Sequence, residues 1–278
     1  MKPFAFVFPG QGSQAVGMLD AWGDHPVVAQ TLREASDALS QDIGQLIHSG
    51  PKEALALTTN TQPVMLVAGV AAYRVWMERT GVAPNVVAGH SLGEYAALVA
   101  AGVMTLHQAA PLVRLRAQAM QDAVPVGTGS MAAVLGLDPA RVVAICAQVQ
   151  AELAGDSTAV VEAANFNDPG QTVISGSKAA VERACEMLKA GGARRAMLLP
   201  VSAPFHCRLM LPAAEKLRTA LESVALQAPA MALINNVDVA VEVAADSPGL
   251  TGVRPWATDP ALAERLWELS EIWTGARF

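Results

Sequence analysis

Charge is scarce in this chain of 278 residues: Asp, Glu, Lys and Arg make up 16% of it, against 52% hydrophobic residues. That balance excludes a disordered polyelectrolyte and points to a globular protein with a large core. Basic clusters are missing too. The net charge is −6, with no Lys/Arg-rich tail and no aromatic–basic interleaving, which argues against nucleic acid as a partner. An acidic protein docking on a local basic patch stays open. Cysteine is rare: Cys146, Cys185 and Cys207 are an odd set without Cys-x-x-Cys, so reduced thiols in a cytoplasmic protein are expected. No stretch approaches the ~18 apolar residues of a membrane span, so no membrane partner is expected. The opening apolar run, Phe4–Phe8, is cut short by Pro9-Gly10 and is too short for a secretion signal. No internal repeat appears.

What is present centres on Gly89-His90-Ser91-Leu92-Gly93. The β-branched run before it and the helical apolar spacing after it (Tyr95, Ala96, Val99, Ala100, Val103) give the strand–turn–helix context in which Gly-x-Ser-x-Gly carries meaning. Such a turn lifts the Ser91 hydroxyl to the carboxyl end of the strand. It also leaves the Leu92 N–H at the start of a helix, where negative charge is favoured. That is a nucleophile beside half an oxyanion hole. A glycine-rich turn without chemistry is the alternative.

Phe4–Phe8 reads as a buried parallel strand, followed by the loop Pro9-Gly10-Gln11-Gly12-Ser13-Gln14. This loop lacks the pattern of a phosphate or dinucleotide motif; it either brings Gln11 to a reacting carbonyl or is a surface turn. Residues 26–48 have helical spacing. Asn60-Thr61-Gln62-Pro63 opens a buried helix that Gly81 ends, and Thr105 caps a helix to Ala123 in which Pro111 should cause a kink or restart. Arg116 shares the apolar face of that helix with Leu112 and Met120. It needs an anion there, from a structural salt bridge or from a substrate. Residues 126–200 read as β-α-β-β-α-β, a ferredoxin-like unit, inserted in a parallel α/β domain of residues 1–125 and 201–278. Two such lobes would frame a cleft. Among the five histidines, His206 follows a strand end and is the best-placed base, while His90 supports the turn.

Six motifs occur in order: Phe-Pro-Gly-Gln-Gly (8–12), Gly-His-Ser-Leu-Gly-Glu (89–94), Leu-Arg-x-x-x-Met (115–120), Gly-Ser-Met-Ala-Ala-Val-Leu-Gly (129–136), Ala-Asn-Phe-Asn-x-Pro-Gly-Gln (164–171) and Ser-Ala-Pro-Phe-His (202–206). Together, over roughly residues 3 to 240, they resemble the malonyl-CoA:acyl carrier protein transacylases of fatty-acid synthesis. The resemblance implies a hydrolase-like parallel-sheet domain with an inserted ferredoxin-like domain. It implies Ser91 as nucleophile and His206 as base, with the Gln11 and Leu92 N–H groups as oxyanion hole. Arg116 would grip the malonyl carboxylate, and Phe205 would crowd the α-carbon and disfavour methylmalonyl. Asn165 is read as structural. Malonyl-CoA and an acyl carrier protein are the implied partners of a monomer that needs no cofactor.

After Asn235-Asn236-Val237-Asp238 the sequence departs from that family. The Gln-containing segment whose carbonyl orients the histidine and the closing Gly-Pro-Gly-Lys are missing. No glutamine follows Gln227, and three of five tryptophans (Trp256, Trp267, Trp273) fall in this last part. The reading is a frameshift or truncation, although Leu262, Leu266, Leu269 and Trp273 share one helical face. Lower stability, a poorly oriented His206 and activity well below that of a full-length relative are the expectations. The alternatives are a malonyl transferase of a malonate decarboxylase complex, a serine esterase or thioesterase, and an inactive truncated remnant.

Overall fold

The computed structural model describes residues 3–237 and 241–242. The readings made of the chain beyond them, including the apolar face of 262–273 and the missing motifs, lie outside the described residues. In chain order the elements are β1 (Ala5–Phe8), α1 (Pro26–Leu39), α2 (Ile43–Ser49), α3 (Lys52–Ala56), α4 (Thr58–Thr80), β2 (Val86–Gly89), α5 (Gly93–Ala100), α6 (Leu106–Asp122), β3 (Gly129–Leu135), α7 (Pro139–Glu152), β4 (Val161–Asp168), β5 (Gln171–Ser177), α8 (Lys178–Ala190), β6 (Arg195–Leu198), α9 (Leu211–Leu221), β7 (Ala232–Ile234) and β8 (Val241–Glu242).

Two compact units divide at 117/118 and 219/220, not at 125/126 and 200/201. The segment 201–219 goes with the smaller unit because its apolar side chains Ala203, Phe205, Met210 and Ala213 are buried with Met131 and Val173 of that unit's sheet.

In the larger unit the sheet order is β1-β2-β7-β8. The first three strands are parallel, with Phe8 beside Gly89 and Ala88 beside Ile234, and β8 is antiparallel to β7. That register brings the carboxyl ends of three strands level, so the loops after Phe8, Gly89 and Ile234 leave from one edge, where open α/β sheets carry their sites. Beneath the sheet runs α4, buried from Thr61 through Val67 as its continuous apolar run requires. Gly69 lets it approach: a Cβ there would stand 3.0 Å from the Phe8 ring. Gly81, left-handed at φ 64°, closes α4 with its N–H on Met77 O.

Several expectations are corrected. Strand β1 is not buried on both faces: Phe8 is 1% exposed but Val7 is 65% exposed. A run of apolar residues does not say which sheet face finds a cover. The helical pattern of 26–48 breaks into α1 and α2, with Ser40 left-handed at φ 49° and Asp42 accepting from the Gln45 N–H at 2.8 Å. Helix α4 starts at Thr58, so Pro63 lies inside it and not in the first turn. Helix α6 runs through Pro111 without restarting, the ring standing on its exposed side, where a proline meets least. Its start is a reciprocal cap: Thr105 Oγ1 accepts from the Gln108 N–H at 3.2 Å, and the Thr105 N–H donates to Gln108 Oε1 at 2.9 Å.

The smaller unit is an antiparallel sheet of order β4-β5-β3-β6. In strand sequence this is the ferredoxin-like arrangement that the periodicity predicted. Val142, Ile145, Cys146 and Val149 of α7 and Val181, Ala184, Cys185 and Leu188 of α8 pack against Ala132, Val134, Val161 and Ile174. Pairing carries β4 and β5 as far as Asp168 and Gln171, so the turn between them is only Pro169-Gly170.

Candidate active site

The turn after β2 is built by close backbone approach. A Cβ on Gly89 would stand 2.0 Å from Gly93 C, and one on Gly93 would stand 2.3 Å from Phe8 O, so only glycine fits at either place. The His90 N–H donates to Phe8 O at 3.0 Å and the Gly93 N–H to His90 O at 2.9 Å. Between them Ser91 is left-handed, φ 54°, a conformation rare for a residue with a Cβ. This is the strained elbow that the motif implied. His90 is exposed and shapes the turn.

Leu92 is buried, 1% exposed, and stands directly before α5. Its N–H makes no hydrogen bond among the described residues, and neither does that of Gln11. The two loops that carry these groups touch: a Cβ on Gly10 would stand 2.8 Å from His90 O. The Gln11 side chain is engaged elsewhere, Nε2 donating to Thr58 Oγ1 at 3.2 Å. The backbone amides of 11 and 92 are therefore unpaired donors on two touching loops at this edge of the sheet.

Arg116 reaches the same place from α6. Its Nη2 donates to Ser91 Oγ at 3.1 Å, its Nη1 to Gln62 Oε1 at 2.5 Å, and its guanidinium lies 5.8 Å from the centre of the Tyr95 ring. Burial pushes the guanidinium below its ordinary range, and the nearby Tyr95 and Glu94 partly offset this. Arginine stays cationic all the same. No structural salt bridge holds it: among the described residues no carboxylate lies within ion-pair distance of Arg116. A cation beside a nucleophile, its charge unmatched at close range, suits an anionic substrate. The same burial pushes Tyr95 up and Glu94 up, the latter offset by Asn236 and Arg116.

Two residues here escaped the sequence reading. Gln62 is 2% exposed inside the apolar stretch of α4; a polar side chain on a helix buried all round was the available signal. Asn236, just past β7, accepts from the Ser91 N–H through Oδ1 at 2.7 Å and donates through Nδ2 to Gly89 O at 2.6 Å. Its own N–H donates to Glu94 Oε2 at 3.2 Å.

His206 and Phe205 belong to the smaller unit. His206 is exposed and left-handed, φ 62°. Its loop is pinned on both sides: Phe205 is buried, 6% exposed, with Met120, Met131 and Met210. Arg208 donates through its backbone N–H and Nε to the Glu162 carboxylate, at 2.8 and 2.6 Å, and through Nη2 to Gln150 at 2.6 Å. Phe205 thus anchors the loop that presents His206. Asn165 sits in β4 opposite Val173.

The thiols offer no rival nucleophile. All three are buried, and burial pushes Cys146 up to about 12. Among the described residues no cluster of His, Cys, Asp and Glu is suited to a metal ion, and no helix is long and apolar enough to cross a membrane.

The family model described as "Acyl transferase domain" matches residues 5–252. The malonyl CoA-acyl carrier protein transacylase of Haemophilus influenzae is 52% identical over 244 residues, 87% of this chain and 76% of that protein. The one of Escherichia coli K12 is 52% identical over 248 residues, 89% and 78%. Among solved structures, the acyl-carrier-protein S-malonyltransferase of Burkholderia pseudomallei superposes with TM-score 0.82 at 60% identity, over 86% of this chain and 76% of that one. A malonyl-transacylase in complex with its type II PKS acyl-carrier protein gives TM-score 0.84 at 47% identity, over 95% and 86%.

Proposed function

This chain belongs to the acyl transferase domain family, and we propose that within it the chain moves a malonyl group from coenzyme A to the phosphopantetheine thiol of an acyl carrier protein, by way of a malonyl ester on Ser91. The observation that carries this reading is the 3.1 Å contact of Arg116 Nη2 with Ser91 Oγ. A planar two-donor cation beside the nucleophile takes the far carboxylate of a three-carbon diacid and sets its thioester carbon at the hydroxyl.

Ser91 Oγ attacks the thioester carbonyl and its proton passes to His206. The carbonyl electron pair moves onto oxygen, which the N–H groups of Leu92 and Gln11 hold. When the tetrahedral species collapses, the carbon–sulfur bond breaks and the departing coenzyme A sulfur takes the proton from His206. The carrier thiol then attacks the ester by the reverse course. Nucleophile, base and oxyanion donors all come from this chain, so malonyl-CoA is substrate and no cofactor takes part. Phe205 narrows the space at the substrate α-carbon against a methyl branch. The enzyme acts as a cytoplasmic monomer on an acyl carrier protein; the structurally similar malonyl-transacylase bound to its acyl-carrier protein supports that partner.

Incubation with radiolabelled malonyl-CoA tests this. Label is expected on Ser91, absent from Ser91→Ala, and chased onto the carrier protein when that is added. Equal labelling by acetyl-CoA, or release of free malonate in place of transfer, overturns it.

A further inference from the structure

We propose that Asn236 is a positioning residue for the nucleophile: its amide bridges Gly89 O and the Ser91 N–H in the first half of the elbow and decides which backbone N–H faces the reaction. The inference rests on the malonyl-ester reading above. The geometry is bifunctional. One side chain, 145 residues away in sequence, accepts from the Ser91 N–H at 2.7 Å and donates to Gly89 O at 2.6 Å. Its backbone N–H ties the same loop to Glu94 in the first turn of α5. The amide satisfies an acceptor and a donor at once from two separate atoms; an ionised carboxylate only accepts, and an apolar group does neither.

Two consequences follow. The Ser91 backbone is held left-handed, a conformation that persists only where the surroundings over-determine it. The Ser91 N–H is also consumed, so the next amide, that of Leu92, is the one left to meet the developing oxyanion. Asn236 does not touch the substrate; it acts through Ser91 and Leu92.

The test measures two reactions of Ser91: acylation at saturating malonyl-CoA, and phosphonylation by a fluorophosphonate, which needs the same nucleophile and oxyanion donors but no malonyl recognition. For Asn236→Ala both rates are expected to fall roughly 10- to 100-fold, the scale of a small misplacement of a reacting group, with KM within about threefold of wild type. Asn236→Asp keeps the acceptor for the Ser91 N–H and is expected to recover part of the rate. A structural role alone would lower the melting temperature and leave both rates of the folded enzyme unchanged. Wild-type rates in folded Asn236→Ala, or a change confined to KM, overturn the proposal. If Asn236→Ala does not fold, Asn236→Asp decides, and a full wild-type rate there overturns it. Wild type that takes the phosphonate but not malonyl overturns the malonyl reading, while the phosphonylation rates still judge Asn236. Wild type that reacts with neither overturns both.

Discussion

Arg116 donates to Ser91 Oγ at 3.1 Å across 25 residues of sequence, so in the proposed reaction the group that would select an anion touches the group that would attack. Removing the guanidinium leaves a substrate carboxylate desolvated beside Tyr95 without a partner. Arg116→Ala is expected to lower kcat/KM for malonyl-CoA roughly 100-fold, about 3 kcal/mol, and to narrow the gap to acetyl-CoA. Arg116→Lys, with one point charge in place of a fork, falls between. Steady-state rates with both thioesters check this; an unchanged ratio removes Arg116 from recognition.

Gln62 gives the guanidinium a neutral acceptor at 2.5 Å. A carboxylate of the same length would pair with Arg116 permanently and compete with the substrate's own. Gln62→Glu is therefore expected to raise KM for malonyl-CoA roughly tenfold or more, about 1.4 kcal/mol, with kcat less affected. Circular dichroism would show the fold kept. An unchanged KM would mean that Arg116 does not bind the carboxylate.

These two side chains also show where the sequence stops being legible. The elbow could be read because its strand, turn and helix are consecutive, from Val86 to Ala100, and the smaller unit because its periods of 2 and 3.6 are local. The clip of Asn236 on Ser91 spans 145 residues and that of Gln62 on Arg116 spans 54, and no pattern in a single chain announces a contact made by tertiary packing. For the same reason the local pattern of β1 does not show that Val7 is exposed, and nothing local in 201–219 assigns that segment to the smaller unit, as the burial of Phe205 and Met210 does.

Glu94 links the site to pH. Burial is the largest influence on it and holds its carboxyl above the usual range, against the Asn236 N–H and Arg116. The folded state therefore holds this proton more tightly than the unfolded chain does. The stability that this contributes is complete below the ordinary carboxylate range and is lost as pH rises through the folded value. Glu94→Gln keeps an acceptor for the Asn236 N–H and does not titrate. Its melting temperature should match wild type most closely near pH 4 and exceed it progressively as pH rises to 7. A gap that shrinks with rising pH would reverse the sign and refute the burial argument.

The left-handed Ser91, φ 54°, makes a prediction in which stability and chemistry part company. A residue with a Cβ in that region costs about 1 to 2 kcal/mol, and glycine escapes most of it while giving back about 0.5 to 1 through its freer unfolded chain. Ser91→Ala is the proper reference, since it also loses the hydroxyl that Arg116 contacts but keeps the Cβ. Ser91→Gly should then be more stable than Ser91→Ala by roughly 0.5 to 1 kcal/mol in urea denaturation, though both are inactive. Equal midpoints would mean that the turn relaxes when the hydroxyl is removed, and that Ser91 is held at its angle by the contact with Arg116 and not by the close-packed glycines on either side.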